Sequence, residues 1–174
     1  MKLNLLAACG AALTLSACAA VTTGGPPVAL APEFIADARV DVITMSSDWL
    51  RAEDDFSDTF IEEVREELDQ CAAGRRPLNL RLHVDDLDRA DRLTTAVRGH
   101  GEHYVSGLAE FVEPASGTVV GRYRIEVWAQ AGGPVRALIG DRQMITSETF
   151  GRELCRQAFG RNPRPDPLAR ATPD

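Results

Sequence analysis

The chain of 174 residues carries 19 Lys and Arg against 26 Asp and Glu, a formal net charge of −7. An acidic chain with no basic run is a poor match for nucleic acid or anionic headgroups, which need a positive patch. Lys2 is its only lysine. That excludes a Schiff-base lysine in any mature domain and a P-loop lysine on a phosphate.

Lys2 is followed by an apolar run from Leu3 to Ala17, roughly fifteen residues, which suits a signal-peptide hydrophobic region and is short for a spanning helix. The run ends in Leu15-Ser16-Ala17-Cys18. That tetrapeptide resembles the lipobox of bacterial lipoproteins. An earlier match, Leu6-Ala7-Ala8-Cys9, leaves no usable hydrophobic region before it. The resemblance implies that residues 1–17 are removed, that the Cys18 thiol takes a diacylglycerol, and that the new amino terminus is acylated. More than one chain is what stable anchoring needs, since each buried methylene contributes about 0.8 kcal/mol. Residue 19 is Ala, not the Asp that resembles an inner-membrane retention signal, so the periplasmic face of the outer membrane is the expected location.

Residues 18–34, with Gly24-Gly25-Pro26-Pro27, read as the lipidated cysteine and a flexible tether. The Pro-rich stretch 161–174 reads as a disordered tail. Between them, 35–160 is one domain on length priors. Its first element is a strand at Arg39–Thr44, rich in β-branched residues. Phe56, Phe60, Val64 and Leu68 then recur at spacing four, an amphipathic helix with Ile61 and Cys71 on the same side. Glu62, Glu63, Glu66 and Glu67 are expected to face outward, Ser57 or an upstream Asp to cap the start, and Gly74 with Pro77 to end it. Leu78, Leu80, Leu82 and Val84 alternate with Asn79, Arg81, His83 and Asp85, the cleanest strand in the chain.

A polar stretch, Asp86 to Glu102, reads as a long loop. Tyr104–Val112 and Val119–Gln130 flank the turn Pro114-Ala115-Ser116-Gly117 and form a hairpin, with Tyr123, Ile125, Val127 and Ala129 on one face. A last helix, from about Ile145 to Phe159, has Phe150, Leu154 and Ala158 at spacing four, Thr146 or Ser147 as its cap and Gly160 as its end. The order predicts an α+β two-layer sandwich: a mainly antiparallel sheet of four or five strands with two helices on one face. Once Cys18 carries lipid, Cys71 and Cys155 remain as an even pair in an oxidising compartment, and a disulfide between them is expected.

The Phe56–Leu68 helix, the strand ending in Asp-Leu-Asp at 86–88, and Phe111-Val112-Glu113-Pro114-Ala115-Ser116-Gly117 before Val119-Val120-Gly121 resemble uncharacterised envelope lipoproteins. Their domain is similar to the amino-terminal domain of TolB and the periplasmic domain of CsgG. The resemblance implies an assembly or scaffold role and brings no catalytic residues.

Chemistry is sparse. His100-Gly101-Glu102-His103 has its histidines three apart, whereas a zincin helix needs four. His83 reads as a solvated outward residue. Asp85, Asp86, Asp88 and Asp91 lack the glycine turn of a calcium loop and are interleaved with Arg89 and Arg92. Ser106 lacks the Gly-x-Ser-x-Gly context of a nucleophile elbow. No catalytic set, metal site or cofactor motif is read. The expectation is therefore a non-enzymatic lipoprotein, anchored to a membrane by its lipid and binding or scaffolding another envelope component or self-associating, without nucleic acid. A small-molecule or lipid-binding module, with its ligand under the Asp86–Glu102 loop, is the alternative. A hydrolase using carboxylates with His100 or His103 is a third.

Overall fold

The computed structural model describes residues 25–47, 56–88, 100–132 and 142–161. Residues 1–17, expected to be a signal sequence, and Cys18, Asp91 and residues 162–174 lie outside them.

Four strands, β1 (Ala38–Ser47), β2 (Arg76–Asp88), β3 (His100–Val112) and β4 (Val119–Gly132), form one sheet in the order β1-β2-β3-β4. Helix α1 (Pro32–Asp37) precedes β1, α2 (Phe56–Cys71) connects β1 to β2, and α3 (Arg142–Phe159) follows β4. The pairs β2–β3 and β3–β4 are antiparallel, while β1 runs parallel to β2. That single parallel pair follows from α2, because parallel neighbours need a crossover long enough to return the chain. The mainly antiparallel α+β sheet expected from the sequence is what the chain forms.

The core lies between the sheet and helices α2 and α3. Leu78, Leu80, Leu82 and Val84 of β2 are all buried, as the alternation required. Phe56, Phe60, Val64 and Leu68 come down from α2 and Phe150, Leu154 and Phe159 from α3. Phe60 meets Phe150 edge-on at 5.0 Å between centroids, and Phe159 meets Phe111 of β3 at 5.6 Å. Each such ring contributes on the order of 1.5–3 kcal/mol on burial. Cys71 and Cys155 are disulfide-bonded, with Cα atoms 5.9 Å apart, so the last turn of α2 is stapled to α3.

A bulge in β1 breaks the period-two pattern. The register slips between Val40 and Ile43, so both face the core while Val42 is 48% exposed. The bulge in β2 between Val84 and Asp86 likewise lets Leu87 pack against the core alongside Val84.

Several expectations need correction. The polar stretch taken as a loop is in part strand: β2 runs on to Asp88 and β3 starts at His100, whose backbone pairs with Gly132. Strand pairing satisfies backbone groups whatever the side-chain polarity, and polarity was the only signal read there. Helix α3 begins at Arg142, so Thr146 and Ser147 are buried inside it rather than capping it. Ser57 likewise lies within α2. Glu67 is 1% exposed, not outward. It sits on the flank of α2 that faces α3, where Gly151 leaves it room: a Cβ there would meet the Glu67 Cβ at 2.9 Å. The end of α3 is as expected, since Gly160 has φ +65° and its N–H returns to Arg156 O.

The domain also begins earlier than residue 35. Val28 pairs with Arg122 on the outer edge of β4, Leu30 is 4% exposed, and α1 places Phe34 in the core with the Arg76 guanidinium 3.9 Å from its ring centre. The Pro- and Gly-rich composition that suggested a tether conceals Leu30 and Phe34, which join the core, and Ala31, partly buried against it.

Candidate functional site

The face of the sheet away from α2 and α3 carries the polar half of each alternating strand. From β1 to β4 it presents Ser46; then Arg81 and His83; then Ser106, Leu108 and Glu110; then Arg122, Arg124, Glu126 and Trp128. Register sets their neighbours: Ser46 opposite His83, His83 opposite Leu108, Glu110 opposite Arg122, and Tyr104 opposite Trp128.

The middle of this face is closed. His83, Ser106, Leu108 and Glu110 are each 6% exposed or less. Arg side chains on this face pair their heads with acids. The Arg122 Nε donates to Glu110 Oε1 at 2.7 Å, and the Arg124 Nη1 donates to Asp85 Oδ2 at 2.9 Å. These two pairs differ in setting. The first is nearly buried, with side chains 13% and 0% exposed, and the second is half open, with Arg124 at 54%.

His83 is therefore not the solvated residue its strand position suggested. Its Nδ1 lies 3.0 Å from Ser46 Oγ, which also lies 3.3 Å from Leu82 O. The hydroxyl reaches both groups, and the imidazole tautomer sets which of Ser46 and His83 donates to the other. Asp85 Oδ1 is 3.8 Å from His83 Nε2, too far for a hydrogen bond. Serine, histidine and aspartate are thus adjacent, yet the carboxylate lies too far away to orient the imidazole as a catalytic triad requires. The arrangement is a strand-to-strand brace.

Toward the ends of β3 and β4 the face opens. Trp128 is 60% exposed, and its ring centre lies 5.0 Å from that of Tyr104 across the strands. A large aromatic pair beside Arg124 and Glu126 is a surface with apolar area and hydrogen-bonding capacity together, a combination enriched where proteins bind one another. The sequence alternation placed Tyr123, Ile125 and Val127 inward, so Trp128 on the opposite face was legible. Its pairing with Tyr104 was not, because register depends on the hairpin bulge between Phe111 and Val112.

The remaining candidates fall elsewhere. His100, Glu102 and His103 are β3 residues whose backbones pair with Gly132, Gln130 and Ala129. No three His, Cys, Asp or Glu side chains converge on a metal-sized site among the described residues. Nor, among those residues, is any helix long and apolar enough to cross a membrane.

At the hairpin turn, the Ser116 hydroxyl and the Arg76 guanidinium hold the Glu113 carboxyl below its ordinary pKa. Near the start of the domain, burial pushes the Tyr123 phenol up, partly offset by the Leu30 N–H that donates to its oxygen at 2.8 Å.

The fold and this face define a disulfide-stapled α+β domain with a braced, partly aromatic outer sheet surface. No family model matches the chain, and no curated protein matches it. Among solved structures it is similar to a candidate lipoprotein from Caulobacter crescentus CB15, at 19% identity over 76% of this chain and 93% of that one, TM-score 0.44. It is also similar to PelC dodecamers from Paraburkholderia phytofirmans in two crystal forms. One, a variant, has 15% identity over 78% of this chain and 96% of that one, TM-score 0.45. The other has 13% identity over 77% and 95%, TM-score 0.44.

Proposed function

We propose that the chain is a bacterial lipoprotein, lipid-anchored through Cys18 at the periplasmic face of the outer membrane, whose domain binds another envelope component through its outer sheet face. The anchor reading is supported by Leu15-Ser16-Ala17-Cys18 after an apolar run, and the destination by Ala19. The observation that carries the binding reading is Trp128, 60% exposed and paired with Tyr104 on a sheet face that neither α2 nor α3 covers. Binding is favoured over catalysis because, in the Ser46–His83–Asp85 neighbourhood of the described residues, the carboxylate lies 3.8 Å from the imidazole, beyond hydrogen-bond reach. Kinship with the TolB and CsgG domains belongs to the same proposal and is supported by the residue pattern alone.

The test is a pull-down from detergent-solubilised envelopes with the native chain and with Trp128→Ala. A stoichiometric partner held by the native chain and lost with Trp128→Ala is the expected result. No stoichiometric partner, together with a monomer in solution, would sink the binding reading.

A further inference from the structure

The segment before α1 is clipped to the edge of β4, and the clip is built at one residue. The Val28 N–H donates to Arg122 O at 3.1 Å and the Arg122 N–H donates to Val28 O at 2.7 Å, a hydrogen-bonded antiparallel pair. The Arg122 side chain adds a second layer. Its Nη1 donates to Pro26 O at 3.3 Å while its Nε is held by the fully buried Glu110. Gly25 lies so close to this guanidinium that a Cβ there would collide with it. Two residues beyond Val28, the Leu30 N–H donates to the Tyr123 hydroxyl, and the Leu30 side chain seats in the space that Gly121 leaves without a Cβ.

The clip decides how much chain is left between lipid and domain. Gly25 lies seven residues beyond Cys18. Whatever its conformation, a chain of that length spans at most ~25 Å. A leash running to residue 34, as composition alone suggests, would reach roughly 55 Å. A domain of this size is itself about 35 Å across, from a radius of gyration near 14 Å. The leash is shorter than the domain it holds. Such a domain has no room to turn its far side to the bilayer.

Resting on the lipid anchor proposed above, we infer that the β4 edge around Pro26, Arg122 and Arg124 is the membrane-proximal surface of the domain, facing the headgroups of the bilayer that holds Cys18, with α2 turned away. The partner of the outer sheet face is then a component that itself lies at the membrane, within the reach of this leash.

The experiment uses the full lipidated chain in phosphatidylcholine vesicles containing a lipid with a nitroxide on its headgroup. A fluorophore is placed on a new cysteine at Arg124→Cys, or at Asp58→Cys in the first turn of α2; both positions are exposed. Cys71 and Cys155 are bonded to each other, which leaves the new thiol for labelling once Cys18 is acylated. Quenching several-fold stronger at Arg124→Cys than at Asp58→Cys is expected. Two further changes should shrink that difference: about 20 Gly/Ser residues inserted between Thr23 and Gly24, and Val28→Pro, which removes the N–H that donates to Arg122. Equal quenching at both positions with the native leash would overturn the inference, as would a difference indifferent to the insertion. Intact mass of the same sample separates the two readings: a chain without lipid overturns the anchor and the orientation together, while a lipidated chain with equal quenching overturns the orientation alone.

Discussion

The two faces of one sheet solve burial in opposite ways. Under α2 and α3 the side chains are Leu, Val, Ile and Phe, and they exclude water by packing. On the other face the central positions are nearly as buried, yet they are His83, Ser106 and Glu110, with His83 bonded to Ser46 and Glu110 to Arg122. The helix-covered face tolerates loss of volume badly but contains little whose energy depends on a partner. The outer face is held by pairs, and a pair fails when either member goes. Substitutions should therefore grade by how much desolvated partnership they remove.

The largest effect belongs to the covered face. Cys71→Ser with Cys155→Ser opens a cross-link between residues 84 apart. On the loop-entropy relation this costs about 4–5 kcal/mol, a large share of what holds a domain of this size. Urea unfolding of the variant should show the midpoint fall by about a third of its native value or more. A much smaller fall would mean that the α2–α3 packing, with Phe60 on Phe150, carries the joint without its staple.

The next contrast is internal to the outer face. Arg122→Ala strands Glu110, which has no other partner for Oε1 and none for Oε2 among the described residues. Removing one member of so buried a pair costs on the order of 3 kcal/mol. Arg124→Ala, two residues along the same strand, breaks a pair that is half exposed and should cost at most about 0.5 kcal/mol. Paired denaturation curves measure the ratio. Equal losses would mean that coverage by the Arg stems, not charge pairing, closes this face.

How much of this was legible follows the same division. The core face was readable where packing obeys period: the alternation of β2 and the four-residue spacing in α2 and α3 named nearly every buried apolar side chain of those three elements. Cysteine parity named the disulfide. The outer face was not readable, because burial there comes from neighbours on other strands. His83 looks like any solvated strand histidine until register puts Ser46 on one side and Leu108 on the other. Glu67 looks like its neighbours Glu63 and Glu66 until Gly151 of α3 faces it. Bulges in β1 and β2 shift face assignments in ways that no single strand announces. The clip at Val28 was hidden by composition, since Gly and Pro describe how a chain turns and say nothing of where it docks.

Tyr123 joins the clip to the core, and its removal is a milder test. Tyr123→Phe leaves the Leu30 N–H without its acceptor at a cost of about 1 kcal/mol. The native phenol has its pKa raised by burial, so the fold favours the neutral form. Its contribution is then full below the ordinary tyrosine value near 10 and lost as pH rises through the higher folded value. Thermal melts from neutral to alkaline pH should fall more steeply for the native chain than for Tyr123→Phe. Parallel curves would place the phenol in water and loosen the case for the clip.

The smallest effect lies at the hairpin turn, the most exposed of the braces. Glu113 accepts from Ser116 Oγ at 2.9 Å and from Arg76 Nη2 at 3.1 Å, and both keep its carboxylate ionised. Because the folded value is depressed, the stabilisation is present above the ordinary glutamate value near 4.3 and disappears as pH falls through the folded one. Ser116→Ala removes the larger of the two causes, so the variant should be slightly less stable than the native chain at neutral pH, and the two should converge as pH falls through the folded value. A turn that mattered to the fold would instead show loss at every pH, because Glu113 N–H to Thr118 O and Gly117 N–H to Glu113 O would open with it. The two patterns separate a turn fixed by its charged side chain from one fixed by backbone bonds and Gly117, whose φ of +68° already sets the reversal.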